Sequence, residues 1–328
     1  MKPFVYSTRK NRDAGTNSWE RGCDNVCYYK NKLMTRAREC APDYEFDDEN
    51  IPCYEFEDEL SRLCGLNTLS FCYEFPHEND ITYFAYFEPY TLSDLEDYLF
   101  NIQKTHDPDH LKNIYKCEKL CESISGKPCY VLTITDNVDS EDVKIVDDPD
   151  EPEKKQETVQ EVKNPNSISL PLADAENENT ILSGFQMAAK NQKEIDPNAK
   201  QTVFLSSRVH PGESNASFMI QGAIDFLLQN NNKEAKMLRD QFIFKIVPML
   251  NPDGVINGNY RCNFVGADLN RRWPNPSKLL HPEIYYTKKL LKMCHLDNQV
   301  LLFCDFHGHT RKRNVFMYGC VSPVTEIN

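Results

Sequence analysis

At 328 residues the chain is long enough for one large domain or two modest ones, since single cores stop growing near ~250 to 300 residues. Its 40% hydrophobic, 11% aromatic and 27% charged residues exclude a collagen-like or wholly disordered polymer. The net charge of -13 argues against nonspecific nucleic-acid binding, which needs Lys and Arg to neutralise phosphates, and no apolar run approaches the ~20 residues that a bilayer-spanning helix requires.

The first residues, MKPFVYSTRKNRD, carry no apolar stretch of the secretory kind, so a cytoplasmic protein without membrane association is expected. Thirteen cysteines scattered from Cys23 to Cys320, none in CxxC spacing, then read as reduced thiols rather than a disulfide framework or a cysteine-only zinc site.

Residues 1–88 read as a small β-rich domain, a β-sandwich, set ahead of a larger one. TLSFCYEF and ITYFAYFE are apolar and aromatic runs separated by the polar turn PHEND, the pattern of two paired strands. Upstream of them, RECAPDYEFDDENIPCYEFEDEL is acidic and weakly patterned, and reads as loop. From Pro89 the period changes. Leu92, Leu95, Tyr98 and Leu99 share one helical face, with Ser93 and Glu96 spaced as a cap.

ISGKPCYVLTIT supplies a turn and a buried strand, after which an acidic insertion is expected over about 136–198. Its first part, residues 136–164, holds eleven acids against four bases and has the low hydrophobicity of a solvated loop. Beyond it come a strand (TVFLSSRV), a helix (NASFMIQGAIDFLLQN), a strand (FIFKIVPML), a helix (PEIYYTKKLLKMC), a strand (QVLLFCDF) and a last strand (NVFMYGC). Such alternation predicts an α/β fold over 89–328, a mixed twisted sheet with helices on both faces. His210, Asn251 and His307 fall just past strand ends, where open α/β sheets place their ligands.

His210 and Glu213 stand in His-x-x-Glu spacing at the end of a strand, with Pro211 and Gly212 turning the chain between them. Imidazole and carboxylate brought together suit zinc, whose catalytic sites take three protein ligands and leave a fourth position open. Ser214 after Glu213 excludes the HExxH and HxxEH spacings, so a third ligand must come from elsewhere. VLLFCDFHGHT offers His307 and His309; alternation puts both on one side of an extended segment, and pattern alone does not choose. Asn251-Pro252-Asp253-Gly254 reads as a turn.

HPGES, NPDGVINGNYRCNFVGADLNRRWPNP and DFHGHTRKRNVFMYGC resemble successive blocks of the zinc carboxypeptidases, in particular the cytosolic branch that trims glutamates from protein tails such as those of tubulin. FPHENDITYFAYFEPYTLSDLEDYL resembles that branch's junction between β domain and catalytic domain. The resemblance implies one zinc ion held by His210, Glu213 and His307. It further implies that Asp268 orients the His210 ring, that Arg261 stabilises the oxyanion, and that Asn270 and Arg271 hold the substrate's terminal carboxylate. Read without the resemblance, Asp268, Asn270 and Arg271 also fit a polar turn capping Trp273. Arg311 to Asn314, RKRN, are candidates for binding acidic side chains.

In that family the general-base glutamate and a substrate-binding tyrosine lie well downstream of the third ligand. The chain is therefore expected to be C-terminally incomplete, to lack the base and, expressed alone, to show negligible peptidase activity. A noncatalytic module that binds zinc and carboxylates, and a zinc amidohydrolase of acylated amino acids, are the two alternatives.

Overall fold

The computed structural model describes residues 2–36, 63–138, 199–309 and 312–319. The expected acidic loop upstream of TLSFCYEF lies outside these residues, as do most of the acidic insertion and Arg311. The chain divides into two compact units, Met1–Pro89 and Tyr90–Asn328.

In the first unit, β1 (Phe4–Ser7) lies between β2 (Glu20–Arg21) and β5 (Thr82–Ala85) in an antiparallel sheet, while β3 (Asp24–Arg36) and β4 (Leu63–Cys72) form a separate antiparallel ribbon. The runs expected to pair with each other thus pair elsewhere, one with β3 and the other with β1. The cause is the segment between them. Asp80 accepts from the Ser7 and Thr8 hydroxyls at 2.6 and 2.8 Å and from the Arg9 amide at 2.8 Å, which pulls the chain to the start of α1 (Thr8–Ala14) and so to β1. These hydrogen bonds, Ser7 foremost, hold the Asp80 carboxyl well below the usual range. The two runs still meet through their rings, with Phe71 and Tyr73 lying 5.2 and 5.1 Å from Phe84.

The second unit is built on a five-stranded mixed sheet in the order β10-β8-β9-β7-β6, comprising β6 (Tyr115–Glu122), β7 (Pro128–Ile134), β8 (Gln201–Ser207), β9 (Phe242–Val247) and β10 (Val300–Phe306). β10, β8 and β9 run parallel, whereas β7 and β6 are antiparallel to their neighbours. Successive side chains along a strand point to opposite faces, and two cores result. Val203, Leu205, Leu132, Ile134 and Ile246 pack on one face against α2 (Leu92–Thr105), α3 (Pro108–Ile114) and α4 (Ser214–Leu227). Phe204, Val131 and Val247 pack on the other against α7 (Pro282–Asn298) and the 3-10 turn Leu269–Arg271. This is the α/β class with helices on both faces.

Three local expectations are corrected. α2 starts one residue before Ser93, and Thr91 is its cap: the Thr91 hydroxyl accepts from the Asp94 amide at 3.1 Å and the Asp94 carboxylate accepts from the Thr91 amide at 2.7 Å. Burial of Leu92 itself brings that residue inside the helix. Asn251-Pro252-Asp253-Gly254 opens α6 (Pro252–Asn257) instead of making an isolated turn, since Asn251 caps it through a 3.0 Å bond from the Gly254 amide. The expected last strand, NVFMYGC, is not one: described residues 312–319 contain no strand. Val315, Met317 and Tyr318 are 89%, 77% and 71% exposed, leaving no buried face to fix a register, and the segment folds on itself with Lys312 over the Phe316 and Tyr318 rings.

The roots of the insertion are clasped. Lys200 donates to the Thr135 hydroxyl and to the carbonyls of Asp136 and Arg239 at 2.8 to 3.1 Å, while Arg239 donates to Asp136 at 3.0 Å. These bonds join the end of β7 to the start of β8 and to Arg239 ahead of β9. α5 (Lys233–Gln241) carries Arg239 and leads into β9.

Candidate metal centre

The chain leaves β8 through Arg208, a non-glycine residue in left-handed backbone at φ 58°. Such a conformation costs roughly 1 to 3 kcal/mol and persists only where its surroundings impose it. Here the buried guanidinium does so. Its Nε donates to the Pro211 carbonyl at 2.8 Å and its Nη1 to the Ser217 hydroxyl on α4 at 2.7 Å, so one side chain spans the turn and pins it to the helix that follows. Burial pushes the Arg208 pKa down to about 10.

Two further bonds fix the same turn. Asn251 donates to the Val209 carbonyl at 3.1 Å, and the Gly212 amide donates to the Tyr260 carbonyl at 2.8 Å. A Cβ at Gly212 would come within 2.8 Å of the Tyr260 carbonyl oxygen and 3.0 Å of its Cα, so only glycine allows this approach. Glu213 then occupies the N-cap position of α4 but makes no side-chain bond to the helix, which releases its carboxylate toward the site.

From β10, His307 arrives beside it. Nδ1 of His210 lies 3.1 Å from Oε1 of Glu213, and Nδ1 of His307 lies 3.0 Å from Oε2. The three donor atoms fall within 4.8 Å of one another. Tetrahedral zinc with bonds of ~2.0 to 2.1 Å separates its ligand atoms by roughly 3.3 Å, so the donor set and its spacing fit that ion with small adjustment. The His210 and Glu213 side chains are 5% and 13% exposed, but His307 is 31% exposed, so the site is walled on one side and open on the other. The Gly308 amide adds a 2.7 Å bond to Glu213 Oε2.

Each histidine also has a carboxylate behind it. Nε2 of His210 faces Asp268 at 3.2 Å, and Nε2 of His307 faces Asp305 at 2.7 Å. Both rings thus point Nδ1 at Glu213 and Nε2 at an acceptor, the arrangement that fixes a ligand ring's tautomer and orientation. Burial opposes charge on His307, but Asp305 and Glu213 outweigh it and raise its pKa to about 10; His210 is raised for the same reasons by Asp268 and Glu213. Burial likewise works against ionised Glu213, yet the two histidines and the Gly308 amide bring it down to about 2. The cluster is arranged to hold positive charge among three carboxylates, as a divalent cation in place of two imidazole protons would supply.

Asp268 gathers several of the expected site residues. Besides His210 it accepts from Arg261 Nε at 2.6 Å and from the Asn270 amide at 2.9 Å. As the N-cap of the 3-10 turn, it leaves Arg271 at the exposed end of that turn. Asn270 Oδ1 accepts from the Trp273 indole at 2.9 Å, so the polar turn against Trp273 exists alongside the carboxylate contact to His210. His309 stands outside the trio: it is exposed, and its Nδ1 accepts from the Lys312 amide at 2.8 Å. Asp305 was not anticipated. The signal available was an acid near the end of a strand, two residues before the histidine that follows it, a spacing that in extended backbone places both side chains on one face.

A family model described as zinc carboxypeptidase matches residues 108–309, a span that contains every residue of this centre. Cytosolic carboxypeptidase 1 of Xenopus laevis and of Homo sapiens are each 36% identical over 321 residues, 98% of this chain and 20% of theirs. Cytosolic carboxypeptidase 2 of Mus musculus is 35% identical over 322 residues, 98% of this chain and 28% of its own. The chain therefore spans only 20% to 28% of the length of these relatives. Among solved structures, a metallo-carboxypeptidase from Burkholderia cenocepacia aligns with 74% of this chain and 47% of its own at 23% identity and a TM-score of 0.48. With most of the second unit matched and the His-x-x-Glu turn and the later histidine brought to one point, the chain belongs to the zinc carboxypeptidase family.

Proposed function

We propose that this chain carries the zinc-binding site of a metallocarboxypeptidase acting on glutamate-rich C-terminal tails or side-chain-linked glutamates of cytoplasmic proteins, tubulin among the candidates. The observation that carries the metal part is the convergence of His210 Nδ1, His307 Nδ1 and the Glu213 carboxylate. The substrate part rests on likeness to relatives named cytosolic carboxypeptidases and on the exposed basic residues Arg271, Lys312 and Arg313.

Bound zinc would supply a Lewis acid that activates water and polarises the scissile carbonyl. The chain's own residues divide the remaining work. Asp268 and Asp305 hold the two rings. Arg261, about 43% exposed on its side chain, presents the other guanidinium nitrogens toward solvent, where they can oppose charge developing on a carbonyl oxygen. Asn270 and Arg271 bind the substrate's terminal carboxylate, a planar guanidinium being suited to two parallel bonds. Lys312, Arg313 and Arg311 lie just after His307 in sequence and are candidates for acidic side chains.

One observation favours a second reading. Among the described residues, the three carboxylates at the centre are all engaged, Glu213 between the two Nδ1 atoms and Asp268 and Asp305 behind the rings, so none is left to take a proton from water. A module that binds zinc and carboxylates without turnover is the form this chain takes if no other segment supplies the base.

The test joins zinc content to turnover of three substrates: a peptide ending in glutamates, the same peptide as its C-terminal amide, and an N-acyl amino acid. A family enzyme with the base supplied releases glutamate from the first peptide and not from its amide. Metal with no turnover supports the binding module, and hydrolysis of the acylated amino acid without release of glutamate from the peptide would contradict the peptidase reading.

A further inference from the structure

The geometry points to Asp305 as a positioning residue for zinc: its carboxylate, locked by Ser206, sets the His307 ring so that Nδ1 and not Nε2 faces the metal, and selects His307 over His309 as the third ligand. This rests on the zinc reading above.

The placement follows from the strand. Asp305 is the penultimate residue of β10 and His307 the first beyond it, a two-residue spacing that in extended backbone brings both side chains out on one face. Asp305 lies directly opposite Ser206 in the parallel pairing of β10 with β8. Ser206 is fully buried, and its hydroxyl donates to Asp305 Oδ1 at 2.7 Å while Oδ2 meets His307 Nε2 at the same 2.7 Å. One carboxylate oxygen is thus anchored to the sheet, leaving the other in a fixed position for the ring. A carboxylate with one free side chain torsion would swing; this one is held from both ends.

The consequence reaches the choice of ligand. With Nε2 committed to Asp305, the remaining lone pair of neutral His307 is on Nδ1, which faces Glu213 at 3.0 Å. His309, the other histidine on the same side of the extended segment, has its Nδ1 taken by the Lys312 amide. The two metal-facing rings are then built alike, one on Asp268 and the other on Asp305. They differ in how the acid is held: Asp268 is shared with the cation of Arg261, whereas Asp305 is anchored by a neutral hydroxyl.

The experiment measures zinc affinity of the 328-residue chain by competition with a chromophoric chelator, together with the absorption spectrum of the cobalt-substituted protein and unfolding of the metal-free form. Asp305→Ala is expected to weaken zinc binding by roughly 10- to 100-fold, the usual effect of removing such a partner, and to alter the cobalt spectrum. Asp305→Asn keeps an oxygen to accept from Nε2 and is expected to recover most of the loss. If Asp305→Ala proves misfolded in the metal-free unfolding curve, Ser206→Ala, which only unlocks the carboxylate, is expected to weaken zinc binding several-fold at unchanged stability.

Wild-type affinity in Asp305→Ala, with zinc lost in His307→Ala, would overturn the positioning role while leaving the zinc site intact. Equal loss in Asp305→Asn and Asp305→Ala would show that net charge rather than ring orientation matters, and would overturn it also. Zinc retained at full affinity in His307→Ala would instead remove the reading on which this inference stands.

Discussion

Arg261 donates from Nε to Asp268 Oδ2 at 2.6 Å, while the other oxygen of that carboxylate faces His210 Nε2 at 3.2 Å. The side chain expected to oppose an oxyanion is therefore also the one that fixes the acid behind the first zinc ligand. One carboxylate thus links the Arg261 guanidinium to the His210 ring.

Removing Arg261 should separate these two roles. Arg261→Ala is expected to weaken zinc binding by less than tenfold, since Asp268 keeps the Asn270 amide as a second anchor. In a chain or assembly that turns over, the same change should cost roughly 100-fold or more in kcat, the usual effect of losing one oxyanion donor. Arg261→Lys should not restore kcat, because an ammonium cannot occupy the Asp268 bond and reach a second acceptor in the same plane. Zinc titration and steady-state kinetics on one preparation distinguish the outcomes. Equal losses in metal affinity and turnover would show that Arg261 acts only through the zinc site.

Arg208 makes a second, conformational prediction. Its left-handed backbone favours glycine and its guanidinium supplies two buried bonds. Arg208→Gly loses the bonds alone, whereas Arg208→Ala loses them and keeps a Cβ at positive φ. Both variants are expected to be less stable than the wild type by about 1 to 3 kcal/mol, with Ala below Gly by roughly 1 kcal/mol. Urea unfolding of the metal-free proteins measures this. Ala at or above Gly in stability would show that the turn relaxes out of the left-handed region when the clamp is removed.

Much of this was legible in the sequence, and the limits have physical causes. The apolar runs in TVFLSSRV and QVLLFCDF announce two strands, which pair in parallel as the buried β8 and the half-exposed edge strand β10, and the histidines at their ends could be read as converging. Pairing in the first unit could not, because Asp80, a single acid in a polar turn, redirects β5 to β1 through three hydrogen bonds to distant residues. The segment NVFMYGC has strand composition, but composition does not say whether a buried face is available. Asp305 was overlooked because an acid inside an apolar strand gains its meaning only from the cross-strand partner Ser206, 99 residues away.

A third prediction concerns pH and lies away from the metal. Glu283 in the first turn of α7 is fully buried, and among the described residues neither of its carboxylate oxygens has a side-chain hydrogen-bond partner. Burial, with some help from the Asp253 carboxylate, raises its pKa from 4.5 to about 7. Below pH 4.5 the group is neutral folded or unfolded and carries no penalty. As pH rises from 4.5 to about 7 the unfolded chain ionises first, so stability falls, and the penalty is complete above 7. Glu283→Gln should therefore match the wild type near pH 4.5 and exceed it at pH 8 by about 1 to 3 kcal/mol. Unfolding curves at both pH values check this. A variant less stable than wild type at pH 8 would show that the ionised carboxylate has a partner in solution.

The central claim is that His210, Glu213 and His307 form one zinc site through both Nδ1 atoms and the Glu213 carboxylate. Its most direct measurement is a crystal structure of the zinc-loaded chain with anomalous diffraction recorded at the zinc edge. A single peak within ~2.0 to 2.2 Å of His210 Nδ1, His307 Nδ1 and a Glu213 oxygen, with Asp268 and Asp305 still behind the rings, is the predicted result. A peak on His309, coordination through Nε2, or no peak at this trio at full zinc loading would contradict it.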